Sequence, residues 1–260
     1  MTILQAAILG LVQGLTEFLP VSSSGHLVLG QALLEIHTGN VTFEVVVHFG
    51  TLLAVVTALR GEIRELAVGC LRREQDSLRM VLLLGLGTVP AGFIGLFFKN
   101  AIEAAFSEPT TVAGWLCVTG GILWSTRFTK GDRHSIRISD ALWIGVAQAL
   151  AVLPGISRSG TTIGTGLWRG IRGKEAATFS FLLSIPIILG ATIIQVGEMV
   201  GQVPTWTEAA PHLAGMLVAY GSGVFAIRWL IGLVGTGRLD RFAYYCWTAG
   251  IVSLIFFRLG

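Results

Sequence analysis

The chain has 260 residues, 53% of them hydrophobic and only 13% charged, with a formal net charge of +3 and a mean hydropathy of +0.74. So little charge cannot cover the surface of a soluble domain of this length, which excludes an ordinary water-soluble globule and makes lipid the main solvent. The modest positive excess is accounted for by membrane topology and calls for no nucleic-acid partner.

The first predicted element, residues 2–34, is a broken hairpin: a helical stretch, then Pro20, then Ser22-Ser23-Ser24-Gly25-His26, then a second apolar stretch. Proline ends a helix and a Ser and Gly cluster turns the chain, so the pattern reads as a re-entrant helix, turn, helix. No basic region precedes the apolar stretch and no small-residue cleavage site follows it, so the N-terminus is read as mature protein. Next come apolar runs at 45–59, 80–98 and 109–126. A hydrocarbon core about 30 Å thick needs roughly 17–25 helical residues, which 80–98 and 109–126 meet; the shorter 45–59 is read as a span as well. Residues 141–168 repeat the broken pattern around Pro154, with 159–168 too short to cross alone, and further spans follow at 176–197, 209–227 and 242–257.

Basic residues orient the spans. Loops 60–79, 127–140, 169–175 and 228–241 hold 15 of the 18 Lys and Arg, whereas loops 99–108 and 198–208 contribute only Lys99. The four basic loops therefore belong in the cytoplasm. Span 45–59 then runs outside to inside and 176–197 inside to outside, so the two halves are inverted.

An internal repeat accompanies the inversion. A shift of 135 pairs Gly10 with Gly145, Gln13 with Gln148, Ser22 with Ser157, Ser24 with Ser159 and Gly25 with Gly160. The expected fold class is an all-α polytopic membrane protein with an inverted-topology repeat, about six full transmembrane helices and two re-entrant helical hairpins. It forms a single membrane domain, 1–260, with repeat one at 1–126 and repeat two at 139–260. Such repeats place a site near the midplane, at broken helices whose exposed termini bind ions.

Among all formally charged residues only Glu17 and Arg158 fall well inside the apolar hairpins. A charge at membrane depth costs about 2.5–3.5 kcal/mol on insertion scales, so both are candidates for function, against the plainer reading of an ion pair that only locks the hairpins. Gln13 and Glu17, four apart, share a helix face, and Pro20 releases the serines and His26 into the turn beyond. In the second hairpin, Gly155-Ile156-Ser157-Arg158-Ser159-Gly160 puts a guanidinium, hydroxyls and backbone N–H groups at a helix start, which suits a phosphate. The candidate phosphate-binding set is Gln13, Ser22, Ser24, Gly25, Ser157, Ser159, Gly160 and Thr161. His48 lies mid-span and is read as a packing residue, while His37, His134 and His212 read as loop or interface residues. Cys70, Cys117 and Cys246 show no metal-ligand spacing and imply no redox chemistry.

Gln13-Gly-Leu-Thr-Glu17-Phe-Leu-Pro-Val-Ser-Ser-Ser-Gly-His26 and Pro154-Gly-Ile-Ser-Arg-Ser-Gly160 resemble the two signature motifs of the bacterial undecaprenyl-diphosphatase family, and the likeness extends along essentially the whole chain. The resemblance implies removal of the terminal phosphate of undecaprenyl diphosphate in the bacterial cytoplasmic (inner) membrane. That step recycles the lipid carrier of peptidoglycan synthesis and gives bacitracin resistance when the protein is overproduced. By the same resemblance Ser23 is the nucleophile, His26 its proton-transfer partner, Glu17 the essential acid and Arg158 the phosphate-binding arginine. Gln13 stands where the motif allows Glu or Gln, leaving one carboxylate, Glu17, for a metal; hard oxygen donors point to Mg²⁺ or Ca²⁺. A homodimer is a further expectation.

Two rival readings differ in chemistry. Another lipid-phosphatase type, built on Lys-x6-Arg-Pro and Ser-Arg-x5-His-x3-Asp motifs, shares only a fragment with Ser23-Ser24-Gly25-His26. A lipid-phosphate flippase or secondary transporter would use the same inverted repeat, but has less use for a Ser-rich turn with His26 and Glu17 facing one arginine.

Overall fold

The computed structural model describes residues 1–33, 41–98, 101–102, 105, 108–198 and 206–259. His37, Lys99 and most of loops 99–108 and 198–208 lie outside the described residues. The described residues are helical throughout apart from turns and one isolated bridge between Arg133 and Ile171, with no β-strand among them.

Helix α1, Ile3–Phe18, starts at a capping box: the Thr2 hydroxyl accepts from the Gln5 N–H and the Gln5 side chain accepts from the Thr2 N–H. It stops because Pro20 drives the preceding residue out of the helical region, and Leu19 is extended, with ψ 145°. Helix α2 resumes at Ser23–Leu33. Helix α3, Val41–Ala58, then turns sharply, by 73°, into α4, Arg60–Leu71. The bend falls where the apolar run gives way to Arg60, Glu62, Arg64 and Glu65, side chains that stay with water and headgroups. The chain continues through α5, Gln75–Phe97, and α6, Pro109–Ser125.

The second half opens with α7, Ile138–Leu150, breaks across residues 151–157, and restarts as α8, Arg158–Trp168. Three long helices complete it: α9, Gly173–Glu198; α10, Trp206–Val234; and α11, Phe242–Leu259. Both hairpins thus break where proline and serine predict. Of the expected spans, the helices within α5, α9 and α10 are long and apolar enough to cross a membrane, and the bent α3–α4 pair makes a fourth if counted as one. Helices α6 and α11 stand at the remaining two positions with 17 and 18 residues. Several apolar helices of this kind make the chain a multi-pass membrane protein.

Packing crosses between the halves. The first hairpin's α1 makes its most extensive contact with α10 of the second half, and α7 makes its most extensive contact with α5 of the first. Glycine sets both approaches: a Cβ on Gly10 would fall onto the carbonyl oxygen of Gly215, and one on Gly145 would lie 2.7 Å from that of Gly87. In lipid, where apolar side chains gain little by leaving their solvent, such close backbone contact supplies the dispersion that holds helices together. At the base of the core Phe18 meets Phe181 edge to face, ring centres 5.7 Å apart.

The open end of the second hairpin is tied by charge. Asp140, fully buried, accepts from Arg133 at 2.7 Å and from Nε of Arg169 at 2.9 Å, joining the start of α7 to the end of α8.

Candidate functional site

The site lies where the two hairpin turns meet. In the first, the chain leaves α1 at Leu19 and reverses at Ser22, which holds a left-handed φ of 69°, a region that non-glycine residues occupy only when surroundings enforce it. The Ser22 carbonyl accepts the His26 N–H at 3.1 Å and its ring Nδ1–H at 2.8 Å, and the Ser22 hydroxyl accepts the Gly25 N–H at 3.3 Å. This turn starts α2 at Ser23 and points its hydroxyl back at the last turn of α1.

Glu17 is the hub of the cluster. Its Oε2 accepts from the Ser23 hydroxyl at 2.6 Å and from the Gln13 amide at 3.1 Å, while its Oε1 accepts from the Arg158 guanidinium at 2.6 Å. The Glu17 and Arg158 side chains are 7% and 13% exposed, so the pair sits in a medium of low dielectric, where each charge depends on the other. Nδ1 of His48 donates to the Glu44 carbonyl at 2.7 Å, which leaves Nε2 facing Oε2 of Glu17 across 3.8 Å.

The second turn repeats the first turn's bonding 135 residues further on. Ser157 caps the N–H of Gly160 at 3.0 Å, its carbonyl accepts both the N–H and the hydroxyl of Thr161 at 2.9 Å, and its own hydroxyl lies 3.2 Å from that of Ser159. Ser22 and Ser24 form the matching hydroxyl pair at 3.3 Å. Two small residues let the turns touch: a Cβ on Gly25 would lie 3.2 Å from Cα of Gly155, and one on Gly160 would lie 3.3 Å from Cβ of Pro20. The Ser159 hydroxyl crosses the seam to the Leu19 carbonyl at 3.1 Å. Arg158 stands at the position equivalent to Ser23 and reaches over this seam to Glu17.

Gln13, Glu17, Ser23 and Arg158 therefore form one hydrogen-bonded cluster, with Ser22, Ser24, Gly25, Ser157, Ser159, Gly160 and Thr161 framing it. His26 stands apart from its expected partner: its ring is bonded to Ser22 and, through Nε2, to the Tyr245 hydroxyl at 2.7 Å. Two residues escaped the sequence reading. His48 was expected only to pack, and nothing in its spacing shows that α3 would turn it towards Glu17. Tyr245 sits 219 residues from His26, in a helix with no other feature of the site.

The donor set of this cluster fits the divalent cation that the resemblance implies. Glu17 contributes one carboxylate whose Oε1 accepts a single hydrogen bond, and Oε1 of Gln13 is buried without a partner. The described residues hold no group of three or more His, Cys, Asp or Glu. One carboxylate and one amide oxygen suit a hard cation that takes its remaining ligands from water and substrate phosphates, as Mg²⁺ does.

A family model described as "Bacitracin resistance protein BacA" matches residues 6–252. Among similar proteins, the undecaprenyl-diphosphatase of Syntrophotalea carbinolica is 43% identical over 257 residues, covering 96% of this chain and 97% of its own. That of Carboxydothermus hydrogenoformans is 41% identical over 256 residues, 96% of each, and that of Desulfatibacillum aliphaticivorans 38% identical over 278 residues, 97% of this chain and 98% of its own.

Proposed function

Since the chain belongs to the bacitracin resistance protein BacA family, we propose that it hydrolyses undecaprenyl diphosphate to undecaprenyl phosphate and inorganic phosphate, with Ser23, Glu17 and Arg158 at the centre of the reaction. The product is the lipid carrier of peptidoglycan precursors, and bacitracin resistance is the expected phenotype of overproduction.

One observation carries the assignment of roles: the Ser23 hydroxyl donates to one oxygen of Glu17 at 2.6 Å while Arg158 holds the other at 2.6 Å. An incoming diphosphate, with more charge and more acceptor oxygens than a carboxylate, draws Arg158 towards itself by bidentate hydrogen bonding. Glu17 keeps the Ser23 proton as its closest remaining partner. The Ser23 oxygen then attacks the terminal phosphorus, its proton passes to Oε2 of Glu17, and the bond to the bridging oxygen breaks to release undecaprenyl phosphate. Arg158 and the backbone N–H groups at the start of α8 face the equatorial oxygens on which charge develops. Water then attacks the phosphoseryl phosphorus, the leaving Ser23 oxygen takes its proton back from Oε2 of Glu17, and inorganic phosphate departs with the protons of the water, which restores both residues. Glu17 and Gln13 would hold a divalent cation, which supplies further neutralisation of the diphosphate.

Two halves related by an inverted repeat account for the arrangement, and the matched turns, the matched glycine approaches and the exchanged hairpins support that reading. The same reading carries six full spans, the cytoplasmic placement of the basic loops and residence in the bacterial cytoplasmic membrane.

The test is phosphate release from a C55 prenyl diphosphate in detergent, comparing wild type with Ser23→Ala, Glu17→Gln and Arg158→Ala, each with and without EDTA. Hydrolysis by wild type and loss in all three variants is expected. Undiminished release by Ser23→Ala would rule out the serine as nucleophile, and a folded wild type inert with every divalent ion would overturn the hydrolytic reading.

A further inference from the structure

The Tyr245 hydroxyl lies 2.7 Å from Nε2 of His26, and the two rings stack with centres 5.6 Å apart and planes 10° from parallel. On the other side of the imidazole, Nδ1 is 2.8 Å from the Ser22 carbonyl. A carbonyl has no proton to give, so Nδ1 carries the ring proton and Nε2 presents its lone pair to the tyrosine hydroxyl. A chain of bonds therefore runs from the start of α11 through His26 to the left-handed Ser22. The equivalent residue of the other turn, Ser157, is extended, with φ −74° and ψ 118°, and its carbonyl is held by Thr161 with no third residue behind it. Only the turn that carries Ser23 holds a non-glycine residue at positive φ, and it is braced from α11; the other turn is tied to α6 by Thr119, whose hydroxyl donates to the Gly155 carbonyl at 2.8 Å and accepts the Ser157 N–H at 3.0 Å.

We propose that Tyr245 is a positioning residue of the hydrolytic site: by donating to Nε2 it holds His26 on the Ser22 carbonyl, and so holds the turn that presents the Ser23 hydroxyl to Glu17. This rests on the hydrolytic reading above. The contact explains why His26 bonds to its own turn and not to Ser23.

The experiment pairs kinetics with spectroscopy. Tyr245→Phe keeps the stacked ring and removes only the hydroxyl. It should lower kcat about ten- to hundredfold, as a nucleophile displaced by a fraction of an ångström does, and leave KM within about twofold. ¹⁵N NMR of the histidines, with His26→Gln for assignment, should show the Nδ1-protonated form in wild type and a mixture of tautomers in Tyr245→Phe. An unchanged kcat, or a rise in KM in place of the fall in kcat, would overturn the proposal. A tautomer indifferent to Tyr245→Phe would overturn it with hydrolysis intact. A wild type that releases no phosphate sinks the hydrolytic reading instead, while the tautomer shift still reports whether Tyr245 holds His26.

Discussion

Removing the Ser23 hydroxyl leaves Oε2 of Glu17 with one fewer donor and leaves phosphorus without the proposed attacking oxygen. Ser23→Ala is therefore expected to lower kcat by about 10²–10⁴-fold, the range by which positioned proton transfer and an activated nucleophile accelerate such steps, in a phosphate-release assay. Glu17→Gln should fall by a similar factor for a different reason: the amide keeps the shape but can neither take the proton nor balance Arg158, which is then buried as an unpaired cation. The two losses should not add, because each breaks the same Ser23–Glu17 unit. Both residues were legible in the sequence. A carboxylate at membrane depth beside three serines has few inexpensive explanations, whatever the rest of the fold. His48 and Tyr245 were not legible, since an imidazole or a phenol within an apolar helix looks the same whether it faces lipid, a packed neighbour or Glu17.

Breaks and close approaches decide what the elements do. Pro20 and Pro154 interrupt the hairpins, and the ends they expose carry the serines, so the position of each break was readable from one residue type. The exchange of hairpins between halves was not readable, because it depends on which small residues meet. Gly10→Leu would drive a side chain into the backbone of Gly215. Overpacking of this kind costs about 1–3 kcal/mol, so a lowered unfolding temperature in detergent is expected, whereas Gly92→Leu, with open space around its Cβ position, should unfold like wild type. At the far end of the second hairpin, Asp140→Ala deletes two charge-assisted bonds to arginine and the cap bond from the Arg137 N–H at 2.9 Å. The Arg133 and Arg169 side chains are partly exposed and can be rehydrated, so the expected loss is about 1.5–3 kcal/mol, at the level of a hydrogen bond to a charged group, read by the same unfolding measurement.

For the whole molecule the predictions concern topology and the cation. With loop 60–79 in the cytoplasm, Cys70 in α4 should react with a membrane-impermeant maleimide in inside-out vesicles and stay unlabelled in intact cells, while the buried Cys246 stays unlabelled in both. Labelling of Cys70 from outside would reverse the assigned orientation. Chelation by EDTA should reduce hydrolysis, and Mg²⁺ or Ca²⁺ should restore it; activity indifferent to both would leave Arg158 as the cation that matters. Steady lipid-diphosphate flipping by Ser23→Ala, with hydrolysis gone, would favour the carrier reading of the same helical fold.

Although they read 60–79 as loop where α4 and the start of α5 are helical, composition and local pattern determined by themselves that this chain lives in lipid, where its long apolar helices run, where the two hairpins break and which two charges fall among apolar residues. These are properties of short stretches, because hydropathy, proline geometry and the cost of a buried charge act on a residue and its near neighbours. Only the tertiary structure decided that Arg158 spends its charge on Glu17, that the Ser23 proton points at that same carboxylate, that His26 is held from α11, and that His48 turns towards the site. Apart from Ser23 and Glu17, which a left-handed turn brings together across six residues, those facts depend on pairs separated by tens to hundreds of residues, and their geometry is set by backbone approaches at glycines whose partners cannot be chosen until the whole bundle has packed.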